Sequence, residues 1–360
     1  MTRIKAEMDP VDVRLAPFDF SLPEDQIARF PPEDRDGGRL LCSVGGGWSS
    51  QTIPDLLGHF KSGDVLVVND TKVMPARMFA LRSTGGRVEL LLLGSSGTAM
   101  SALVRPSKKI RTGEQLELVL NDGSRSGHTV VVGAAAEDGR RMVELSCPAE
   151  QLMDACGALP LPPYLNRPAE ASDSDRYQTV FADRPGAVAA PTASLHLTAE
   201  MIRALTDKGV QVQRVTLHVG PGTFRNLRPV DLDSGRLHTE RYSISRDTAE
   251  VVNCAIADGR RVTAVGTTVT RTLESAVSVD GTVAAGDSTT DLFIRPGHRF
   301  RAVNRLMTNF HLPKSSLLML VCAFGGRKHV LSGYAEAVRA GFRFYSYGDA
   351  MLLEAATEDS

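Results

Sequence analysis

The sequence predicts an α/β fold that is interrupted by a small module built only of strands. Residues 187–224 combine a small-residue loop, a short amphipathic helix, an apolar strand and a glycine-rich loop, which together form one repeat of an α/β layer. Between residues 76 and 152, short apolar or alternating runs are instead separated by Gly, Asp and Ser, and helical patterns are nearly absent. We therefore expect an α/β domain from residues 1–75 and 153–360, and an antiparallel barrel or sandwich at 76–152.

The α/β repeat also contains the first candidate functional residues. Thr198 is a suitable N-cap for the helix, and Gly209 is a residue at which such a helix ends. A buried strand follows over residues 210–217. The loops on either side of this helix and strand contain His196 and His218, and ligands of α/β folds gather at the loops that leave the strands.

Other predicted strands end in the same kind of loop. Apolar runs at 65–68, 262–265 and 292–294 predict these strands, and an apolar helix is predicted at 317–324 after a polar loop at 307–316. Amide, carboxylate, hydroxyl and glycine residues follow the first two strands at once: Asn69, Asp70, Thr71, Gly266, Thr267 and Thr268. Asn and Asp favour turns in any case, so this motif alone favours a plain turn at 69–71 over a ligand contact.

Charge and cysteine usage restrict the function. The net charge is −1, from 41 basic and 42 acidic residues, which argues against nucleic-acid binding through bulk charge. The segment 105–111 is nevertheless densely basic, and it is either a solvated hairpin loop or a contact for phosphates. The five cysteines are scattered without CxxC spacing, as expected of free thiols in a reducing cytosol. The N-terminal residues do not resemble a signal peptide, and 317–324 is too short to span a bilayer, so we expect a soluble intracellular protein.

Several common site motifs are missing from the sequence. It has no GxGxxG after a strand, no GxxxxGK[ST], no HExxH and no GxSxG. The eight histidines lie far apart in the sequence, without the spacing of metal ligands, which argues against a metal site. Three of them, His196, His218 and His311, lie in predicted loops among Thr, Asn and Gly, and this grouping favours a site.

Eight motifs in order make the chain resemble the S-adenosylmethionine:tRNA ribosyltransferase-isomerase family over nearly its full length. The motifs are VVNDTKVMPARM (67–78), LPLPPYLNR (159–167), YQTVFA (177–182), GAVAAPTASLHLT (186–198), VTLHVGPGTF (215–224), VGTTVTRTLES (265–275), TNFHLPKSSLLMLV (308–321) and FRFYSYGDAML (342–352).

The resemblance implies both a fold and a reaction. The fold is an α/β main domain, with a barrel-like mixed sheet and helices, into which a small antiparallel β-barrel is inserted. The reaction transfers and isomerises the ribosyl group of S-adenosylmethionine onto 7-aminomethyl-7-deazaguanine at the wobble position of tRNA. It yields epoxyqueuosine and releases adenine and methionine. S-adenosylmethionine is then a substrate, no metal or other cofactor is implied, and we expect a cytoplasmic monomer.

The resemblance and the strand-end loops together give the candidate site residues. The candidate catalytic residues are His196, His218, His311, Glu240 and Asp349. The candidate substrate-binding residues are Asn69, Asp70, Thr71, Arg77, Tyr164, Arg167, Tyr177, Gln178, Thr192, Gly220, Gly222, Thr223, Phe224, Gly266, Thr267, Thr268, Arg271, Glu274, Asn309, Ser346 and Tyr347. The candidate tRNA contacts are Arg105, Lys108, Lys109 and Arg111.

The chain departs from the family's motifs at several positions. These positions are Gly38, Lys72, Ser194, Pro221, Gly235 and Leu237. Because they touch substrate-side motifs, one alternative is a paralogue that uses the same ribosyl donor with a small-molecule 7-deazapurine or amine acceptor. A second alternative is an inactive RNA-binding relative, which the retention of most polar motif residues argues against.

Overall fold

The computed structural model describes residues 13–44, 46–94, 96–136, 139–224 and 227–356. The strands within them are β1 (Arg39–Val44), β2 (Gly47–Thr52), β3 (Val65–Asn69), β4 (Thr71–Val73), β5 (Arg77–Leu81), β6 (Arg87–Leu92), β7 (Ala99–Arg105), β8 (Glu114–Val119), β9 (Arg125–Ala135), β10 (Arg140–Leu145), β11 (Arg184–Ala187), β12 (Gln211–Leu217), β13 (Arg236–Ile244), β14 (Val262–Val265), β15 (Gly286–Leu292), β16 (Arg305–Asn309) and β17 (Ala350–Glu354).

The α-helices are α1 (Ala149–Cys156), α2 (Asp173–Arg176), α3 (Ala199–Asp207), α4 (Pro229–Ser234), α5 (Arg246–Ala257), α6 (Thr267–Ala276), α7 (Ser316–Gly325) and α8 (Arg327–Arg339). Short 3₁₀ helices lie at Val13–Phe18, Glu24–Gln26, Ile53–His59, Ser107–Lys109, Pro163–Leu165, Thr192–His196 and Pro221–Phe224. Among the described residues, no helix is both long and apolar enough to cross a membrane.

The chain forms two compact units. The first consists of Met1–Asn69, Pro191–Leu217 and Arg225–Ser360, and the second of Asp70–Ala190 and His218–Phe224. The first contains the large mixed sheet and most of the helices, and the second contains the barrel.

A nine-stranded mixed sheet forms the centre of the first unit, in the order β15-β13-β12-β3-β14-β16-β17-β1-β2. Strands β12, β3, β14 and β16 are parallel neighbours. Every residue of β3, β14 and β16 is buried, as expected of parallel strands covered on both faces. The carboxyl ends of these four strands therefore meet at one edge of the sheet, here called the carboxyl edge.

Local sequence signals determine where α3, the helix that precedes β12, begins and ends. The Thr198 side chain accepts a hydrogen bond from the Met201 N–H at 3.2 Å and so caps α3, as predicted. Gly209 has a φ of +87°, and this left-handed conformation, which glycine adopts easily, lets the chain turn into β12.

The second unit contains a closed antiparallel barrel in the order β10-β7-β6-β5-β8-β9. Side chains alternate along its strands, so that Val88, Leu90 and Leu92 of β6 point into the core while their neighbours are more exposed. Helix α1 adds Leu152 and Met153 to the same core. Of the barrel and the sandwich that the sequence allowed for this segment, the structure has the barrel. The predicted fold class is thus confirmed.

Two predicted elements of the first unit were wrong. The apolar run 292–294 is not a strand beyond its first residue, because β15 ends at Leu292, which pairs with Arg236 of β13. β15 was missed because its sequence, GDSTTDL, is that of a mostly exposed strand at the end of the sheet. Residues 307–309 were predicted as a loop but belong to β16, whose Arg305 is buried through an ion pair with Glu354.

Candidate functional site

The carboxyl edge of the first unit is organised by Asn69, the last residue of β3. Its amide nitrogen Nδ2 donates to the Leu217 carbonyl at 3.0 Å, and its Oδ1 accepts from the Leu217 N–H at 3.1 Å. The same Nδ2 lies 3.5 Å from Oγ1 of Thr268 in the first turn of α6. Asn69 is fully buried, so its amide ties the ends of β3 and β12 to the start of α6.

Gly266 brings the start of α6 to this edge. It follows β14 with φ +91° and ψ 158°, a conformation that is essentially restricted to glycine. Its N–H donates to the Met307 carbonyl of β16 at 2.7 Å, and a Cβ placed on it would lie 3.4 Å from the Ala193 side chain. The next residue, Thr267, is buried. Ala193, in the loop before α3, therefore lies against the start of α6.

His196 and Asn309 meet at the same edge. His196 is buried, and its Nε2 lies 3.1 Å from Nδ2 of Asn309. Because an amide nitrogen can only donate, Nε2 accepts and we assign the ring proton to Nδ1. Burial lowers the pKa of His196 to about 4, with nearby Asp349 opposing this and Arg343 adding to it. The imidazole is therefore neutral at pH 7.

Asp349 stabilises the backbone around His196. Its Oδ1 accepts from the Arg39 N–H at 2.9 Å and its Oδ2 from the Arg343 N–H at 2.8 Å, and the side chain is buried. These bonds connect the start of β1 to the turn before β17. Ser346 and Tyr347, two further predicted site residues, are buried in that turn.

Arg271 and Glu240 form a buried ion pair. Nη1 of Arg271 on α6 donates to Oε2 of Glu240 on β13, and its Nε donates to the Leu292 carbonyl at 3.0 Å. His238 Nε2 lies 3.1 Å from the other oxygen of Glu240. The remaining guanidinium nitrogen, Nη2, is buried without a hydrogen-bond partner among the described residues.

Glu274, one turn further along α6, holds a loop. Its carboxylate accepts the backbone N–H groups of Arg301, Ala302 and Val303 at 3.0 Å each. Three such bonds satisfy most of the hydrogen-bonding capacity of a buried carboxylate. The geometry of Glu274 is that of a structural anchor for the segment before β16.

His311 lies two residues beyond β16. Its Nε2 lies 2.9 Å from Oγ1 of Thr308, and its backbone N–H donates to the Tyr334 hydroxyl at 2.9 Å. Burial lowers the pKa of His311 to about 3, so this imidazole is also neutral at pH 7.

Within the second unit, His218 is held by Thr71 and Gly186. Its Nδ1 lies 2.8 Å from Oγ1 of Thr71. A Cβ on Gly186 would lie 2.6 Å from the imidazole ring, so no other residue fits there without displacing the ring. The side-chain amide of Gln178 bonds both the N–H and the carbonyl of Val73, at 3.1 and 2.7 Å.

Other predicted residues of this unit are engaged in ion pairs or buried. Arg167 donates twice to Asp173, at 2.6 and 2.8 Å, and Arg77 pairs with Glu89 of the neighbouring strand at 3.1 Å. Asp70 is buried 3.8 Å from Arg184. Tyr177 is fully buried, whereas Tyr164, Gly220, Gly222 and Thr223 are half-buried, as is Thr192 of the first unit. The side chain of Phe224 lies outside the described residues.

The comparisons with known proteins agree along the whole chain. The sequence model described as "Queuosine biosynthesis protein" matches residues 15–353. This chain belongs to the queuosine biosynthesis family. Proteins named S-adenosylmethionine:tRNA ribosyltransferase-isomerase are similar to it: one from Pelobacter propionicus is 45% identical over 94% of this chain and 98% of its own length, and one from Anaeromyxobacter dehalogenans is 47% identical over 95% and 99%.

A solved structure extends this agreement to the fold. The S-adenosylmethionine tRNA ribosyltransferase from Thermotoga maritima is 32% identical, with a TM-score of 0.52 over 93% of this chain and 99% of that one. The fold and the family inferred from the eight motifs are thereby confirmed.

Some residues that shape the site of this family member were not among the sequence candidates. Gly186 and Thr308 support His218 and His311, and Asp173 neutralises Arg167. Gly186 is the first residue of the motif GAVAAPTASLHLT (186–198), so its place in a motif was a signal that the sequence offered. Thr308 likewise opens a motif, whereas the contact of Asp173 with Arg167 depends on the fold and had no signal in the sequence.

Proposed function

We propose that this protein transfers and isomerises the ribosyl group of S-adenosylmethionine onto 7-aminomethyl-7-deazaguanine at the wobble position of tRNA. The product is epoxyqueuosine in tRNA, and adenine and methionine leave. The observation that carries the proposal is the family match over residues 15–353, together with relatives of this name that are 44–47% identical over nearly their full length.

The carboxyl edge supplies a suitable place for the donor. Thr268 and Asn309 offer hydroxyl and amide groups, which suit a ribose while it opens, and α6 directs its first backbone N–H groups to the same edge. Oδ1 of Asn309 is buried without a hydrogen-bond partner among the described residues. An unpaired buried acceptor calls for an explanation, and a hydroxyl of the donor would satisfy it.

Arg271 is the proposed partner of the methionine carboxylate. Its Nη2 is the unpaired nitrogen of a buried guanidinium whose other groups already hold Glu240 and the Leu292 carbonyl. A carboxylate oxygen would supply the missing acceptor through a charge-assisted hydrogen bond. Lysine keeps the charge but loses the planar fork, so Arg271→Lys is expected to raise the KM for S-adenosylmethionine.

The chemistry also needs proton transfer. The sulfonium acidifies the adjacent methylene, so a neutral base is required, and adenine needs help to leave. His218 and His311 each place a ring nitrogen within 3 Å of a threonine hydroxyl, at 2.8 and 2.9 Å. We propose His218 as the base, because the lowered pKa of His311 makes that imidazole a weak proton acceptor. His196, whose Nε2 already accepts from Asn309, is proposed as a positioning residue.

Adenine release tests the proposed function against its alternatives. The protein is incubated with S-adenosylmethionine and, in parallel, with tRNA carrying 7-aminomethyl-7-deazaguanine, with unmodified tRNA, and with the free base. Adenine from the modified tRNA alone is the expected result. Release with the free base would identify the paralogue, and tRNA binding without any release would identify the inactive relative.

The remaining proposals concern the state of the enzyme. We propose that it acts as a cytoplasmic monomer that needs no metal or cofactor beyond its substrate. Molar mass from light scattering in the presence and absence of tRNA tests the monomer.

A further inference from the structure

We propose that the segment 105–111, which connects β7 to β8 and is here called the basic loop, is a preformed contact surface for RNA phosphates that the buried guanidinium of Arg141 holds in shape. The inference rests on the proposed function, because it supplies the surface on which the tRNA would bind. It adds a positioning residue, Arg141, that no motif singled out.

The basic loop presents four cations to solvent. Arg105, Lys108, Lys109 and Arg111 are all exposed. None of them has an ion pair within 4.0 Å or a side-chain hydrogen bond to the described part of the chain. Cations that the protein itself does not neutralise can displace counterions from a phosphate backbone, which is the main source of affinity for nucleic acids.

The nearby carboxylates are already engaged. Glu89, opposite Arg105 in the barrel register, pairs with Arg77. Glu114 accepts two bonds from Arg82, at 2.6 and 3.1 Å, and one from the Arg111 backbone N–H at 2.9 Å. The positive charge of the loop therefore stays available, although the protein as a whole has a net charge of −1.

Arg141 fixes the loop from beneath. It lies on β10 with only 4% of its surface exposed, and its Nη1 donates to the carbonyls of Ser107 and Ile110 at 3.1 and 2.9 Å. Its Nε donates to the Gly133 carbonyl at 2.9 Å. No carboxylate of the described residues pairs with it, so a buried positive charge is compensated by backbone carbonyls alone.

This arrangement favours a binding surface over a solvated loop. A hairpin connection that only faces water does not need a buried guanidinium, which is costly to desolvate. Ile110 is also buried in the barrel core, so the loop is anchored on both sides of its lysines. Ordering the loop before the RNA arrives removes part of the entropy cost of binding, and the charge of Arg141 adds to the potential at the surface.

The test compares variants of the loop with a matched control. Lys108→Ala/Lys109→Ala removes two exposed charges, and Arg125→Ala removes an exposed barrel charge that is already paired with Glu117. The KM and kcat for modified tRNA, the KM for S-adenosylmethionine, and the salt dependence of tRNA binding are measured for each.

We expect the double variant to raise the KM for tRNA about tenfold. We also expect it to reduce the slope of log binding constant against log salt concentration by roughly 0.7–0.9 for each phosphate that the loop no longer neutralises. The kcat and the donor KM should not change.

Arg141→Lys tests the anchor. It keeps the charge but cannot bond three carbonyls in the same planar arrangement. We expect a higher KM for tRNA at unchanged kcat, and faster tryptic cleavage after Lys108 and Lys109. If this variant fails to fold, the double variant decides, because its exposed side chains bond to nothing in the described chain.

The outcomes separate this inference from the proposed function. If the wild-type protein releases adenine from modified tRNA but the double variant behaves like Arg125→Ala, the basic loop is only solvated and the inference is wrong. If the wild type binds tRNA through the loop but releases no adenine, the proposed function fails alone. If the wild type does not bind tRNA, both fail.

Discussion

The burial of His196 makes the stability of the first unit depend on pH. The pKa of this imidazole falls from its ordinary 6.5 to about 4, mainly because burial disfavours the charged form. Between these values the unfolded chain binds a proton that the folded chain does not, so stability is full above pH 6.5 and is lost as the pH falls towards 4. The loss is about 2 kcal/mol by pH 5. His311, whose pKa is also lowered, acts in the same direction.

Chemical denaturation at two pH values checks this expectation. Urea unfolding of the wild type, of His196→Gln and of His128→Gln is measured at pH 7 and pH 5. The first variant is expected to lose less stability between the two values than the wild type, and the second, at a half-buried barrel histidine, is the control. Equal losses for wild type and His196→Gln would contradict the role given to His196.

His218 is expected to matter more for turnover than for folding. The ring is half-buried, and His218→Ala removes one hydrogen bond to Thr71, which costs about 1 kcal/mol. We expect kcat to fall by at least about tenfold while the melting temperature changes by only a few degrees. Gly186→Ala keeps the imidazole but displaces it, because the added Cβ would lie 2.6 Å from the ring. It should therefore also lower kcat, and wild-type turnover in both variants would exclude His218 from the reaction.

At the scale of one helix, Gly266 decides how α6 enters the site. Its φ of +91° and ψ of 158° are costly for any residue with a Cβ, so Gly266→Ala is expected to destabilise the protein by about 1–3 kcal/mol. It should also raise the KM for S-adenosylmethionine, because Thr268 and Arg271 lie on this helix. Gly259→Ala is the matched control, since Gly259 also has a positive φ, of +66°, but has open space around it and lies after α5. A donor KM that changes equally in both variants would show that α6 does not contact the donor.

At the scale of single elements, the sequence predicted those helices and strands that have a capping residue or a continuous apolar run. Helix α3 begins at its predicted cap, and β3 and β14 match their apolar runs because both faces of a parallel strand are buried. Strands β15 and β16 were missed for opposite reasons. The first is polar because it lies at the end of the sheet, and the second contains an arginine whose burial depends on Glu354, 49 residues later.

For the whole molecule, the sequence indicated which polar residues follow the strands but not how their polar groups are used. Glu274, Arg271 and Asp349 all lie where strand-end loops were expected to gather ligands. The structure shows Glu274 and Asp349 bonded to backbone N–H groups and Arg271 to Glu240. Such partners lie up to 310 residues apart in sequence, so periodicity cannot distinguish a side chain that binds a substrate from one that holds the backbone.

The distribution of these buried charges bears on the proposal that the enzyme needs no metal. A divalent ion needs several deprotonated ligands at one point. Four of the buried carboxylates, Glu240, Glu274, Asp173 and Asp349, are each compensated by an arginine or by backbone N–H groups. Among the described residues, no group of three or more His, Cys, Asp or Glu could hold a metal ion.

We expect elemental analysis of the purified enzyme to find far less than about one zinc or iron per chain, since a structural or catalytic site would be filled in stoichiometric amount. Adenine release should be the same before and after the enzyme is treated with a chelator and desalted into buffer that keeps the tRNA folded. A stoichiometric metal whose removal abolishes turnover would mean that the reaction does not depend on the amide, hydroxyl and imidazole groups of the carboxyl edge alone.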